Sequence, residues 1–193
     1  MTENPKRVAL FGGSFNPIHN GHVALAQAVL DAHLADEVWL MVSPQNPLKQ
    51  QADLRPENVR LSIAQQALQK HENIKVSNFE FALPRPSYTW NTLQALSRAY
   101  PCITFSLLIG GDNWCCFDKW AHYADILRHY DLIVYPRPNN EINTSSLPPH
   151  VSMLQAPLYP YSSTDVRARV KQGKSIHGMV PDVVEKAIIK AYL

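Results

Sequence analysis

Apolar residues along this chain gather in short runs at residues 8–11, 38–42, 74–76, 103–109 and 132–135, several of them continuous rather than alternating. Runs of that kind are expected of strands covered on both faces, as in a parallel sheet. Between them the spacing shifts to three and four: Leu25, Val29 and Ala32; Val59, Ile63 and Ala67; Leu93 and Leu96. Each set predicts an amphipathic helix, the second opened by Pro56, where a missing N–H does no harm. Strand and helix alternate, which predicts βαβ crossovers and a three-layer α/β sandwich with a mainly parallel sheet.

The last part changes character. Residues 136–150 hold prolines and asparagines with no apolar period, and they predict a long surface loop able to cover a site. Beyond it, Ser162-Ser163-Thr164 opens one helix and Pro181 another, whose Val184, Ile188 and Ala191 share a face. These two make a small C-terminal helical portion. With no internal repeat or low-complexity tract, a single domain over residues 1–193 is the expectation.

Composition narrows the class without naming a chemistry. Of 193 residues, 46% are apolar and 18% charged, the balance of a folded chain. A net charge of +2 with no run of five like charges argues against nucleic acid as a partner. Cys102, Cys115 and Cys116 lack CxxC spacing and cannot all pair, which suits reduced thiols and a cytoplasmic location. No apolar stretch has the length of a membrane span or a signal peptide core, so no membrane partner is expected.

Candidate chemistry concentrates in Gly12-Gly13-Ser14-Phe15-Asn16-Pro17-Ile18-His19-Asn20-Gly21-His22, directly after the first predicted strand. Glycines there allow special backbone angles and a close approach of a ligand to the main chain, both of which a Cβ would forbid, and Asn16-Pro17 predicts a turn. A helix starting near His22 would turn its free N–H groups and positive dipole end toward an anion. His19 and His22 flank that helix start, and each imidazole can donate to a phosphate oxygen whether charged or neutral. A structural histidine pair or two metal ligands are the bland alternatives, but no carboxylate or cysteine lies nearby in sequence to complete a metal site. The dinucleotide fingerprint GxGxxG is absent, which weakens a hydride-transfer reading.

This eleven-residue block resembles the GG-[ST]-F-[DN]-P-x-H-x-G-H opening of the HxGH nucleotidyltransferases, and in particular of bacterial nicotinate-nucleotide adenylyltransferases. Pro86-Ser87-Tyr88-Thr89, Gly110-Gly111-Asp112 with Trp120, and Ser162-Ser163-Thr164-Asp165-Val166-Arg167 are similar to that family's later motifs, in the same order. Two departures stand out: Asn16 replaces a frequent Asp, and Pro47-Leu48-Lys49 replaces a frequent Pro-His-Lys. The resemblance implies a Rossmann-like fold and adenylyl transfer from ATP to nicotinate mononucleotide, with Mg²⁺ carried by ATP. A sister transferase acting on phosphopantetheine or forming a CDP-activated product, or a nucleotide sensor without turnover, are the alternatives.

The resemblance also implies roles. His19, His22, Arg167 and Lys49 would serve catalysis. Gly12, Gly13, Ser14, Phe15, Gly110, Asp112, Ser163 and Thr164, with the histidines and Arg167, would hold ATP. Lys49, Ser87, Tyr88, Thr89, Trp120 and Arg137 would hold the mononucleotide, with the indole of Trp120 stacked on the pyridine ring and Thr89 facing its carboxylate. Each residue has an ordinary reading beside this one: the serines cap a helix, Asp112 caps the next one, and Lys49 and Arg137 are solvated charges. Trp90 and Trp114 compete with Trp120 for the stacking position. Arg167 lies one turn into its helix, and helical side chains lean back toward the N-terminus, so its guanidinium can reach an anion at that tip.

Overall fold

The computed structural model describes residues 5–44, 53–137, 142–144, 147–156 and 158–193. Six strands form one sheet: β1 (Lys6–Gly13), β2 (Glu37–Val42), β3 (Ile74–Ser77), β4 (Ile103–Gly110), β5 (Asp131–Tyr135) and β6 (Val151–Met153). Their order is β3-β2-β1-β4-β5-β6, and every adjacent pair is parallel. Strand order reverses between β1 and β4, so the crevice beyond their carboxyl ends is where such sheets admit ligands.

Helices cover both faces, as the unbroken apolar runs require. On one face, Ala9 and Phe11 of β1 and Val38, Leu40 and Val42 of β2 meet α1 (Asn20–Asp31), α2 (Glu57–Leu68), α6 (Ser163–Lys171) and α7 (Asp182–Tyr192) in one core cluster. On the other, Val8 and Leu10 of β1 and Phe105, Leu107 and Ile109 of β4 pack with α3 (Thr89–Ala99) and α5 (Tyr123–His129). Consecutive residues of β1 thus feed different cores, the period of two that a strand imposes. A 3₁₀ turn (Phe79–Ala82) leads into α3, and the four-residue α4 (Gly111–Trp114) follows β4 directly.

Several expectations shift by a residue or an element. The buried stripe of α7 ends on Tyr192 rather than Ala191, and Ala32 is exposed at the cap of α1. β6 emerges at the end of the stretch expected as loop, paired to β5 through Leu132 and Val151. Residues 138–141 and 145–146 of that stretch lie outside the described residues, while Ile142 returns to the protein and lies against Gly111. The C-terminal helices pack into the same core as α1 and α2.

Tyr192 also fastens the chain's end to its beginning, because its hydroxyl donates to Asn16 Oδ1 at 2.8 Å in a buried setting. Losing that donor leaves a buried acceptor short of one partner. Tyr192→Phe is therefore expected to cost about 1–2 kcal/mol in urea unfolding with the m-value unchanged; stability equal to the parent would show the bond to be dispensable.

Candidate active site

The loop from β1 to α1 is buried from Phe15 through His19, an unusual place for irregular backbone. Its peptide groups must therefore find partners in the protein. The Ser14 carbonyl accepts from the Arg60 guanidinium, which also serves the carbonyls of Ser43, Pro44 and Arg55. The Asn16 carbonyl accepts from Arg167 at 2.8 Å, and the Pro17 carbonyl from the Ser163 hydroxyl at 2.9 Å. The Asn16 side chain donates to the Asp53 carbonyl and accepts from the Arg55 N–H. Arginine 60 is 1% exposed, and it joins the ends of β1 and β2 to the start of α2.

Glycine's role here differs from the expectation. Neither Gly12 nor Gly13 has a positive φ; the left-handed residue of the loop is Phe15, at φ 42°. Phe15 tolerates that conformation because its ring is fixed by edge contacts to Phe11 at 5.6 Å and His22 at 5.0 Å. Above Gly12 a Cβ would meet nothing within 4 Å among the described residues, which leaves space there for a ligand. At Gly21 a Cβ would press within 3.0 Å of the His19 ring, which explains the glycine between the two histidines.

His19 caps α1 and His22 lies one turn on, their rings stacked at 3.6 Å between centroids with planes 26° apart. The His19 backbone N–H donates to His22 Nδ1 at 3.2 Å. A neutral His22 then carries its proton on Nε2, as a donor facing away from the backbone. Burial, with Arg137 adding positive charge, pulls His19 down to about 4; burial, His19 and Arg137 together hold His22 well below the ordinary histidine range. Both are neutral donors at neutral pH. The expected array of free N–H groups at the start of α1 is partly occupied: Asn20 donates to the Met179 carbonyl and His22 to that of His19. Ring donors and dipole, more than main-chain donors, face outward.

The second helix tip comes to the same loop. Ser162 caps α6 in a reciprocal box with Asp165, while Ser163 and Arg167 bond the β1–α1 loop. Arg167 also reaches Thr164 Oγ1 at 3.4 Å, and its buried Nε has no partner among the described residues. Arg137 lies over the Tyr135 ring with its Nε 3.8 Å from Asp112 Oδ1. A Cβ at Gly110 would collide with that Asp112 carboxylate, so this glycine lets the carboxylate fold back over the strand end.

From Gly12, Gly13 and Ser14 a cavity of about 190 Å³ opens toward Trp120, Thr89 and Glu80. Ligand sites that bury a whole drug-sized molecule run to roughly 300–1,000 Å³, so this one suits a single ring at the end of a larger ligand. Trp120 lines it, with its indole Nε1 buried and without a partner among the described residues. Trp90 instead stacks on His122 and Trp114 on Phe117, and neither lines the cavity. The structure thus puts Trp120, and neither of its two rivals, on the cavity wall. Ser87, Tyr88 and Gly110 line it too, whereas Lys49 lies outside the described residues.

Three residues escaped the sequence reading. Lys119 stands on the cavity wall, Arg60 lies beneath the loop, and Glu80, 7% exposed, lines the cavity. Burial pushes the Glu80 carboxyl above the usual range, against hydrogen bonds from Thr92, Ser43 and Ser87. A charged residue on a helix or turn reads as solvated, so sequence carried no signal for Arg60 or Glu80.

His19 makes stability pH-dependent with a definite sign. The unfolded histidine takes a proton near 6.5 and the folded one near 4, so the contribution is complete above 6.5 and is lost as pH falls toward 4. Its loss should run at about 1.4 kcal/mol per pH unit. Urea unfolding across this range should show a shallower slope for His19→Gln than for the parent; identical slopes would place His19 in water.

With the geometry in hand, comparison with known proteins is informative. A family profile described as cytidylyltransferase-like matches residues 10–169. A protein of Bacteroides fragilis named "Probable nicotinate-nucleotide adenylyltransferase" is 45% identical, covering 95% of this chain and 92% of its own. One of the same name from Porphyromonas gingivalis is 40% identical, covering 93% and 94%. Among solved structures, the Plasmodium falciparum nicotinic acid mononucleotide adenylyltransferase complexed with NaAD superposes with a TM-score of 0.80 at 18% identity, covering 96% of this chain and 95% of that one. The chain therefore belongs to the cytidylyltransferase-like nucleotidyltransferases and, within them, to the nicotinate-nucleotide adenylyltransferase family.

Proposed function

We propose that this protein transfers the adenylyl group of ATP to nicotinate mononucleotide, releasing pyrophosphate and forming nicotinate adenine dinucleotide. The observation that carries this reading is the stacked pair His19 and His22 at a helix start, with the tip of α6 bonded to the same loop. Two helix ends of positive sign converge on one place, as anion sites require.

In the reaction, a mononucleotide phosphate oxygen attacks the α-phosphorus of ATP; the new P–O bond forms as the bond to the bridging oxygen breaks, and pyrophosphate departs. The attacking phosphate is already ionised near neutral pH, so no general base is needed. Catalysis is then positioning plus stabilisation of charge. His19 and His22 donate to phosphate oxygens as neutral imidazoles, which spares the site the cost of burying two further cations. Arg167, Arg137 and Lys49 supply positive charge. Mg²⁺ comes with ATP as part of the substrate and neutralises phosphate charge. The ring nitrogens and cations beside the loop suit phosphate oxygen, whereas Mg²⁺ takes oxygen ligands, which the phosphates of ATP supply. Trp120 covers the pyridine ring, and the start of α3 at Thr89 meets its carboxylate. Ser163, Thr164 and Gly12 border the triphosphate, and Asp112 the adenosine ribose.

His22→Ala is expected to lower kcat on the order of a hundredfold in a pyrophosphate-release assay with ATP and nicotinate mononucleotide. Unchanged turnover would remove the histidine from the mechanism. Trp120→Ala should raise KM for the mononucleotide roughly tenfold with little effect on KM for ATP; the same pattern in Trp90→Ala instead would move the stacking position.

A further inference from the structure

The cavity holds an acid that the reaction above does not use. Glu80 sits on the 3₁₀ turn before α3, and among the described residues no cation lies within 4 Å of it. A buried carboxyl without a counter-charge is costly, and an apolar residue would fill the space more stably. Its two oxygens are used separately. Oε1 accepts from Thr92 Oγ1 at 2.9 Å and Oε2 from Ser87 Oγ at 3.3 Å, while Ser43, just past β2, also donates to the carboxylate. Ser87 belongs to the loop that enters α3, and Thr92 to the helix's first turn. Tyr88, the residue between loop and helix, provides no side-chain cap, so Glu80 is what ties this helix start to the sheet side of the cavity.

We propose that Glu80 is a positioning residue for the base end of the mononucleotide: by holding Ser87 and Thr92 at once, it sets where the start of α3 meets the ring beside Trp120. This inference rests on the reading of the cavity as the mononucleotide site. Recognition of a carboxylate against an amide depends on where donors stand, and a small displacement of a helix start changes that more than it changes phosphate binding. Glu80 therefore acts on the mononucleotide and on the choice between acid and amide forms, and not on ATP.

The test compares the parent protein, Glu80→Gln, Thr92→Val and the double variant, measuring KM for nicotinate mononucleotide, KM for ATP, and relative kcat/KM for nicotinate and nicotinamide mononucleotides. Each single change should raise KM for nicotinate mononucleotide roughly tenfold and narrow the acid-to-amide ratio, with KM for ATP within about twofold. The double variant should be no worse than the poorer single one, because both break one linkage. Equal rises in the two KM values, an unchanged acid-to-amide ratio, or additive effects would overturn the proposal. Thr92→Val leaves the buried acid in place and carries the test should Glu80→Gln fail to fold. A parent protein inactive on nicotinate mononucleotide would instead refute the reading of the cavity.

Discussion

A buried loop has to pair its own peptide groups, and in this protein that obligation gathers the site. Residues 15–19 run through the interior without regular structure, and together with Ser14 and Asn20 at their two ends they draw partners from four distant places. Arg60 arrives from α2, Ser163 and Arg167 from α6, Tyr192 from α7, and the Asn20 N–H just beyond the loop goes to Met179. Each bond that satisfies the loop also brings a helix to the reversal point of the sheet. The bonds that satisfy the loop are also those that assemble the candidate active site, and α6, remote in sequence, joins it with its N-terminus capped by Ser162 and Asp165.

The same enclosure decides the charge state of the histidines. Stacked rings at 3.6 Å, away from water and near Arg137, are held as neutral imidazoles, since a second proton on either would put an imidazolium beside like charge in a desolvated site. The bond from the His19 N–H to His22 Nδ1 then chooses the tautomer, leaving Nε2–H as the outward donor. Such donors are oriented before any ligand arrives and need no reorganisation when charge shifts on a phosphate. Positive charge comes instead from guanidinium groups, which stay protonated when desolvated.

Much of this was legible in the residues. Apolar runs, several of them continuous, announced strands covered on both sides, and HxGH after the first of them announced a helix start carrying two histidines, which the structure stacks. Where sequence failed, a physical reason is at hand. Three residues of edge strand, Val151–Met153, are too short to show a pattern after a proline-rich stretch. The left-handed residue proved to be Phe15 and not a neighbouring glycine, because aromatic packing and not backbone freedom holds it. Trp90, Trp114 and Trp120 are alike as letters, and only the cavity wall distinguishes them. Arg60 and Glu80 are buried through carbonyls and hydroxyls, partners whose approach no local spacing encodes.

What the whole arrangement asserts is that the paired imidazoles are neutral and fixed in one tautomer before ATP binds. Long-range ¹⁵N–¹H correlation spectra of the histidine rings at neutral pH read this directly. A protonated Nε2 and an accepting Nδ1 at His22, persisting well below the pH at which exposed histidines titrate, is the predicted result. An imidazolium at His22, or a proton on its Nδ1, would contradict it.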